Sequence, residues 1–170
     1  MVILGIDPGV QTIGYGIIQL DDNHPSYIAS GVIKTLADED MHIRLAEIYR
    51  DMKELVDAYK PSVVAIERLF FFYNTSSAMQ VSQARGVIMA ALPREVEIEE
   101  YTPSAIKKQI CGDGCADKKL IRKAVHNLLG IDIAEDNSCD AVAIGLTYAL
   151  RQTRRKTQTA RVDFGIATCL

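Results

Sequence analysis

Two short apolar runs that each end in an acidic residue constrain the fold most strongly. Residues 2–6 form the first run, which Asp7-Pro8-Gly9 ends, and residues 62–66 form the second, which Glu67 ends. Apolar runs without polar alternation are typical of central strands covered on both faces, and Pro-Gly marks a turn. The sequence therefore predicts a sheet with helices on both faces and two carboxylates at strand ends, where α/β sheets usually bind ligands.

Periodicity along the rest of the chain completes this architecture. Strand-like stretches recur at residues 13–20, 27–35 and 96–101, and helical spacing occupies residues 41–59, 75–92, 118–129 and 136–149. Strands first, and then strands alternating with helices, predict one α/β domain with a mixed five-stranded sheet. We expect this domain to span residues 1–151 and a basic, mobile tail to span residues 152–170.

A third acid lies near the start of the last helix. Asp140 follows Asp136 by about one turn, so the two side chains share one side of that helix. Acids from two strands and one helix that converge on one point would suit Mg²⁺ or Mn²⁺, which prefer hard oxygen ligands. The alternative is local: Asp7 initiates a turn, and Asp136, Asn137 or Asp140 caps the helix.

Charge is distributed unevenly although the net charge is only −3. Residues 1–100 carry 8 basic and 15 acidic side chains, whereas residues 101–170 carry 11 and 7. A polyanionic partner responds to local positive potential rather than to the net charge. The basic excess therefore indicates either a nucleic-acid surface or solvated helix faces with a frayed tail.

Several classes of protein are disfavoured. No apolar run approaches the roughly 18 residues of a membrane span, and we expect a cytoplasmic protein without membrane partners. The four cysteines and three scattered histidines do not show zinc-site spacing, so we expect free thiols.

The residues around the acids resemble those of a known family, the RuvC family of Holliday junction resolvases, which have a ribonuclease H-like fold. In chain order the matching segments are GIDPG at 5–9, GYG at 14–16, AIE at 65–67, Phe70, QARG at 83–86, Lys107, GDGCADK at 112–118 and DAVAI at 140–144. The order and spacing extend over about 150 of the 170 residues. Each motif is short, but their joint occurrence is specific.

The resemblance implies a role for each matching residue. Asp7, Glu67 and Asp140 would be catalytic acids that hold two Mg²⁺ ions, with Mn²⁺ as a substitute, for in-line cleavage of a phosphodiester. Lys107 and Lys118 would contact DNA near the scissile phosphate. Two further DNA contacts are implied beside Glu67: Phe70 would stack on a base at the opened crossover, and Arg68 would contact the backbone.

Asn137 departs from the family pattern, which usually has an acid or a histidine three residues before the last aspartate. An amide oxygen can ligate a metal, but it brings no charge and cannot accept a proton from water. We therefore include Asn137 among the catalytic and metal-binding candidates. Three explanations stay open: a natural weaker ligand, substitution by Asp136, or a change that disables cleavage and keeps DNA binding.

The resemblance predicts a structure-selective endonuclease that resolves four-way DNA junctions by paired nicks in recombination and repair. A symmetric homodimer would match the two-fold symmetry of the junction, with the helix at 75–92 as the contact. A branch-migration complex is a further candidate partner. The alternative function is a junction-binding protein with weak or no cleavage, which Asn137 favours, and a nicking assay separates the two.

Overall fold

The fold consists of one sheet between two helical layers. The computed structural model describes residues 1–68 and 75–166, and the side chains of residues 1–68 and 78–156. The strands are β1 (Val2–Asp7), β2 (Thr12–Asp21), β3 (His24–Lys34), β4 (Val63–Glu67) and β5 (Glu97–Tyr101). The helices are α1 (Met41–Tyr59), α2 (Thr75–Ala90), α3 (Pro103–Cys111), α4 (Lys118–Leu129) and α5 (Asp136–Ile166).

The strand order in the sheet is β3-β2-β1-β4-β5. β1, β2 and β3 pair antiparallel through short turns, whereas β1, β4 and β5 are parallel and are joined by helical crossovers. The predicted mixed five-stranded sheet is therefore confirmed. The two apolar runs form β1 and β4, which lie side by side in the centre of the sheet.

Side-chain alternation along the central strands separates two hydrophobic cores. Leu4 and Ile6 of β1 pack with buried residues of α1 and α2, whereas Ile3 packs on the opposite face with α3, α4 and α5. Ile66 of β4 shares the first core with Ile6, its partner across the parallel pair. The helices thus cover both faces, as predicted, and both strands are buried on two sides.

The same alternation decides where the acids point. Asp7 and Glu67 each follow a residue that faces α1 and α2, so their own side chains point to the face covered by α5. Because the register pairs Ile6 with Ile66, the two acids end neighbouring strands at the same level. Strand pairing alone therefore places these carboxylates together.

Glycines let α5 lie directly on the sheet. A Cβ atom at Gly5 would overlap the backbone carbonyl of Ala141, and a Cβ atom at Gly14 would overlap that of Asn137. Gly14 is the cross-strand partner of Asp7. This close approach brings the start of α5, whose second turn carries Asp140, next to the end of β1.

The predicted division of the chain at residue 151 does not coincide with the end of an element. The helix that the sequence pattern ended near residue 149 continues to Ile166 as part of α5. Helical geometry tolerates the polar and basic side chains of this segment, for which the sequence pattern predicts no apolar face. The mobility of residues 152–170 stays a prediction. No helix within the described parts of the chain has the length and apolar character to span a membrane.

Candidate active site

Three carboxylates from distant parts of the chain line one cavity. Asp7 at the end of β1, Glu67 at the end of β4 and Asp140 on α5 lie around a space of about 110 Å³. Lys107 of α3 and Lys118 of α4 line the same cavity. Its remaining walls are mostly apolar and come from α3, α4 and α5: Pro103, Ile106, Ile121, Ala143 and Ile144. Five of the predicted site residues are therefore brought together.

The acids strongly perturb one another. Burial and, after it, the nearby charges of Glu67 and Asp140 together raise the pKa of Asp7 to about 7, although the charge of Lys118 acts in the opposite direction. Burial and the Asp140 charge also raise the pKa of Glu67, although a hydrogen bond from the Asp7 carboxyl acts in the opposite direction. Such mutual repulsion in a partly desolvated pocket is typical of a site that binds cations or works as an acid–base centre.

Lys118 neutralises part of this negative charge. Its ammonium Nζ lies 3.2 Å from Oδ2 of Asp140 and 3.9 Å from Oδ2 of Asp136. The hydrogen bond to Asp140 and the charge of that carboxylate raise the pKa of Lys118, which keeps the ammonium protonated. Lys107 also acts on the acids, because its charge lowers the pKa of Glu67.

A hydrogen-bonded cluster fixes the start of α5. Glu135 accepts hydrogen bonds from the backbone N–H of Ser138 at 2.5 Å and from its Oγ at 2.7 Å. Nδ2 of Asn137 donates to the other carboxylate oxygen of Glu135 at 3.1 Å. Partial burial acts to raise the pKa of Glu135, but these hydrogen bonds outweigh it and lower the pKa.

Glu135 therefore caps α5. The sequence pattern had indicated Asp136 or Asn137 as the cap. The side chain of Asp136 is instead engaged by Arg122 of α4, whose guanidinium also donates to the carbonyl of Ala134 at 3.3 Å. The Glu135 side chain is longer than that of an aspartate, and it reaches the N–H of Ser138, which has no partner within the helix. An acid just before a helix was a signal for this cap, but its bond to Asn137 could not be read from the pattern.

One predicted DNA-contacting residue, Arg68, lies outside the cavity. Arg68 donates to Oε2 of Glu100 at 3.3 Å, and Arg85 of α2 pairs with the same carboxylate. The Arg68 side chain is 55% exposed and does not line the cavity. Phe70 lies outside the described residues.

The donor atoms suit a divalent cation, although they are not arranged as a ligand set. Within residues 1–68 and 75–166, no group of three or more His, Cys, Asp or Glu side chains is arranged to hold a metal ion. The pairing of Asp140 with Lys118 gives a physical reason for this arrangement, since the carboxylate of Asp140 already contacts the ammonium of Lys118. Asn137 does not line the cavity, but its Cβ packs against Gly14 beside the strand end that carries Asp7.

Comparison with known proteins decides the family. The profile of the family "Crossover junction endodeoxyribonuclease RuvC" matches residues 3–148. The chain belongs to the RuvC family. The RuvC protein of Brachyspira hyodysenteriae is 42% identical over 152 residues, which cover 89% of this chain and 95% of that protein. The RuvC protein of Alkaliphilus metalliredigens is 44% identical and covers 88% of this chain and 93% of that protein.

Solved structures support the same assignment. RuvC of Thermus thermophilus in complex with a Holliday junction substrate superimposes with a TM-score of 0.83 at 29% identity, covering 91% of this chain and 96% of that chain. The yeast mitochondrial Holliday junction resolvase matches with a TM-score of 0.65 at 12% identity, which shows a shared fold alone. The resemblance to RuvC and the predicted ribonuclease H-like fold are therefore confirmed.

Proposed function

We propose that this protein is a crossover junction endodeoxyribonuclease that resolves four-way DNA junctions, as members of its family are named for doing. The observation that carries the proposal is the meeting of Asp7, Glu67 and Asp140 in one cavity beside Lys107 and Lys118. Acids that repel one another attract cations, and lysines at the rim of the same cavity attract phosphates. The site therefore suits a cation-dependent reaction on a phosphodiester.

Divalent cations complete this site in our proposal. Asp7, Glu67 and Asp140 would hold Mg²⁺, with Mn²⁺ as a substitute, and Asn137 would add an amide oxygen. When bound, two such ions activate a water and stabilise the leaving oxygen of a phosphodiester. The raised pKa of Asp7 supports this assignment, because a cation would relieve the repulsion that favours its protonated form.

The basic residues would position the DNA. Lys107 lies in the cavity wall next to the acids and would pair with a phosphate oxygen near the cut. Lys118 would exchange Asp140 for DNA phosphate once a cation neutralises that acid. Arg68 is exposed enough to contact the backbone while it pairs with Glu100, and Phe70 would stack on a base at the crossover.

The alternative of a junction-binding protein without cleavage is not favoured. It rests on the missing charge at Asn137. The other three acids are present and line one cavity in a chain of a nuclease family. A weakened ligand at one of four positions explains Asn137 without a loss of function.

We also propose that the active form is a homodimer that contacts its partner through α2. Ala84 and Ile88 of this helix are buried in the core, so they cannot form that contact. The opposite side of α2 is exposed and carries Met79, with 65% of its surface accessible, and Gly86, which has no neighbour near its Cβ position. A four-way junction has two-fold symmetry, which a symmetric dimer would match. A branch-migration complex as a further partner stays a prediction.

A nicking assay on a synthetic four-way junction tests the function. We expect Mg²⁺- and Mn²⁺-dependent nicks placed symmetrically in two opposed strands, and a loss of at least about a hundredfold in rate for Asp7→Asn, Glu67→Gln and Asp140→Asn. Asp132→Asn, which removes an exposed acid on the loop before α5, is the matched control and should cleave normally. Junction binding by the native protein without any metal-dependent nick would contradict the proposal.

A further inference from the structure

The residue just before α5 is an acid that contacts Asn137, the residue that departs from the pattern implied by the family resemblance. Glu135 holds three hydrogen bonds, two from Ser138 and one from Nδ2 of Asn137. Any role of Glu135 beside Asn137 rests on the proposed function, since it concerns how Asn137 serves a cation.

This contact fixes the orientation of the Asn137 amide. An ionised carboxylate can only accept hydrogen bonds, so the NH₂ group of Asn137 must face Glu135 and the carbonyl oxygen Oδ1 must face away from it. A negative charge hydrogen-bonded to the NH₂ group also polarises the amide and increases the electron density on Oδ1. The side chain is thus held with its only metal-ligating atom turned outward from Glu135.

The position of Asn137 makes this orientation relevant to the acids. Asn137 and Asp140 are three residues apart on α5 and lie on the same side of the helix. The backbone and Cβ of Asn137 pack against Gly14, the cross-strand partner of Asp7. Asn137 therefore lies about one turn before Asp140 on α5 and beside the strand end that carries Asp7.

We propose that Glu135 is a positioning residue for the cation site, and that the Glu135–Asn137 pair takes the place of the acid that the family usually has at position 137. In this pair the ligand, Asn137, is neutral. The negative charge lies on Glu135, which is hydrogen-bonded to Asn137. Replacing a residue that hydrogen-bonds to a metal ligand commonly changes metal affinity by about 10–100-fold.

Calorimetric titration with Mn²⁺ alone, without DNA, tests this role separately from cleavage. Glu135→Gln keeps an acceptor for the N–H of Ser138 but presents no full charge to Asn137. We expect this variant to bind Mn²⁺ about tenfold more weakly, with a melting temperature of the metal-free protein close to native. Asp132→Asn, an equal loss of charge at an exposed neighbouring loop, should change Mn²⁺ affinity by less than about twofold.

Two further variants keep the proposal testable if Glu135→Gln is unstable. Asn137→Asp alone sets a carboxylate against Glu135, so we expect less than about a threefold gain in Mn²⁺ affinity. In Glu135→Gln/Asn137→Asp the hydrogen bond reverses direction, and we expect affinity to return to the native value or above. The proposal is wrong if the two substitutions change Mn²⁺ affinity independently of each other. It is also wrong if Asn137→Asp alone raises Mn²⁺ affinity by about tenfold or more.

The same titration separates this inference from the proposed function. If Asp7→Asn and Asp140→Asn abolish Mn²⁺ binding while Glu135→Gln leaves it unchanged, only the role of Glu135 is wrong. If none of these variants changes Mn²⁺ binding, the cation site itself is wrong and the inference falls with it.

Discussion

Asp7 is the residue at which burial and charge act together most strongly. It lies at the end of the central strand, beside two other carboxylates, and its pKa is raised to about 7. An acid whose pKa is higher in the folded than in the unfolded protein binds its proton more tightly when folded. Stability therefore falls as pH rises from the ordinary value of 3.8 toward 7.

Asp7→Asn should remove this pH dependence. We expect the metal-free native protein to lose up to about 4 kcal/mol of unfolding free energy, relative to the variant, between about pH 4 and pH 7. Urea unfolding with a chelator at several pH values measures the difference. Added Mg²⁺ should restore stability to the native protein only, and a native–variant difference that stays constant with pH would contradict the assignment.

Lys118 is an intramolecular counter-ion for the acids in the metal-free protein. Its ammonium Nζ lies 3.2 Å from Oδ2 of Asp140, so it competes with any cation for that carboxylate. The same lysine is proposed to contact DNA. Binding of a cation and release of this lysine to the substrate are therefore coupled in our proposal.

Lys118→Gln should separate the two roles of this residue. We expect Mn²⁺ to bind several-fold more tightly in the absence of DNA, and junction cleavage at low protein concentration to fall by about tenfold because one phosphate contact is lost. Lys119→Gln, which removes a neighbouring charge on α4 outside the acid cavity, should leave Mn²⁺ affinity unchanged. Weaker Mn²⁺ binding by Lys118→Gln would show that this lysine does not compete for Asp140.

At the scale of elements, the site depends on how closely α5 approaches the sheet. Glycines at positions 5 and 14 leave no side chain between β1, β2 and the first turns of this helix. The approach places Asp140 and Asn137 at the ends of strands that come from distant parts of the chain. We expect a displacement of α5 away from the sheet to move Asp140 away from Asp7.

Gly14→Ala should therefore disturb stability and the site together. The added Cβ would overlap the carbonyl of Asn137, and overpacking of this kind costs about 1–3 kcal/mol or more. We expect a loss in that range by urea unfolding, with a parallel loss of Mn²⁺ affinity. Gly114→Ala is the matched control, since a Cβ there would make only ordinary contacts. Native Mn²⁺ affinity in a destabilised Gly14→Ala protein would show that helix position does not set the site.

The whole molecule presents its candidate active site and its proposed partner surface on different faces. The acids lie on the face of α5, whereas α2 packs on the opposite face of the sheet with its outer side exposed. Two copies joined through α2 would therefore keep both cavities accessible. This arrangement is consistent with one active site for each of two opposed strands of a junction.

Met79→Glu tests this arrangement. A charge in the middle of an apolar contact costs several kcal/mol. We therefore expect the variant to sediment as a monomer at concentrations at which we expect the native protein to be a dimer. We expect single nicks to replace paired ones. Leu36→Glu changes an equally exposed apolar residue on another surface and should remain dimeric. A Met79→Glu protein that still dimerises would place the contact elsewhere.

Local pattern was sufficient for the five strands, for four of the five helices apart from the end of α5, and for the elements that carry the three acids. The runs before Asp7 and Glu67 predicted buried strands because a strand covered on both faces needs apolar residues on both sides. Parallel pairing of those strands then brings the two acids to one edge. The continuation of α5 to Ile166 was not predictable in this way, because a helix whose side chains are mainly polar carries no apolar periodicity.

Residue order alone indicates which strands are buried and which acids end them, because those features depend on neighbours in the chain. The partners of these groups depend on the folded structure instead: Lys118 with Asp140, Arg68 with Glu100, and Glu135 with Asn137 at the start of α5. The first two pairs join residues that are distant in the chain, and the third depends on side-chain reach at a helix end. Hydrogen bonds and ion pairs act over a few ångströms, so they follow from how α4, α5 and the sheet pack, which residue spacing does not encode.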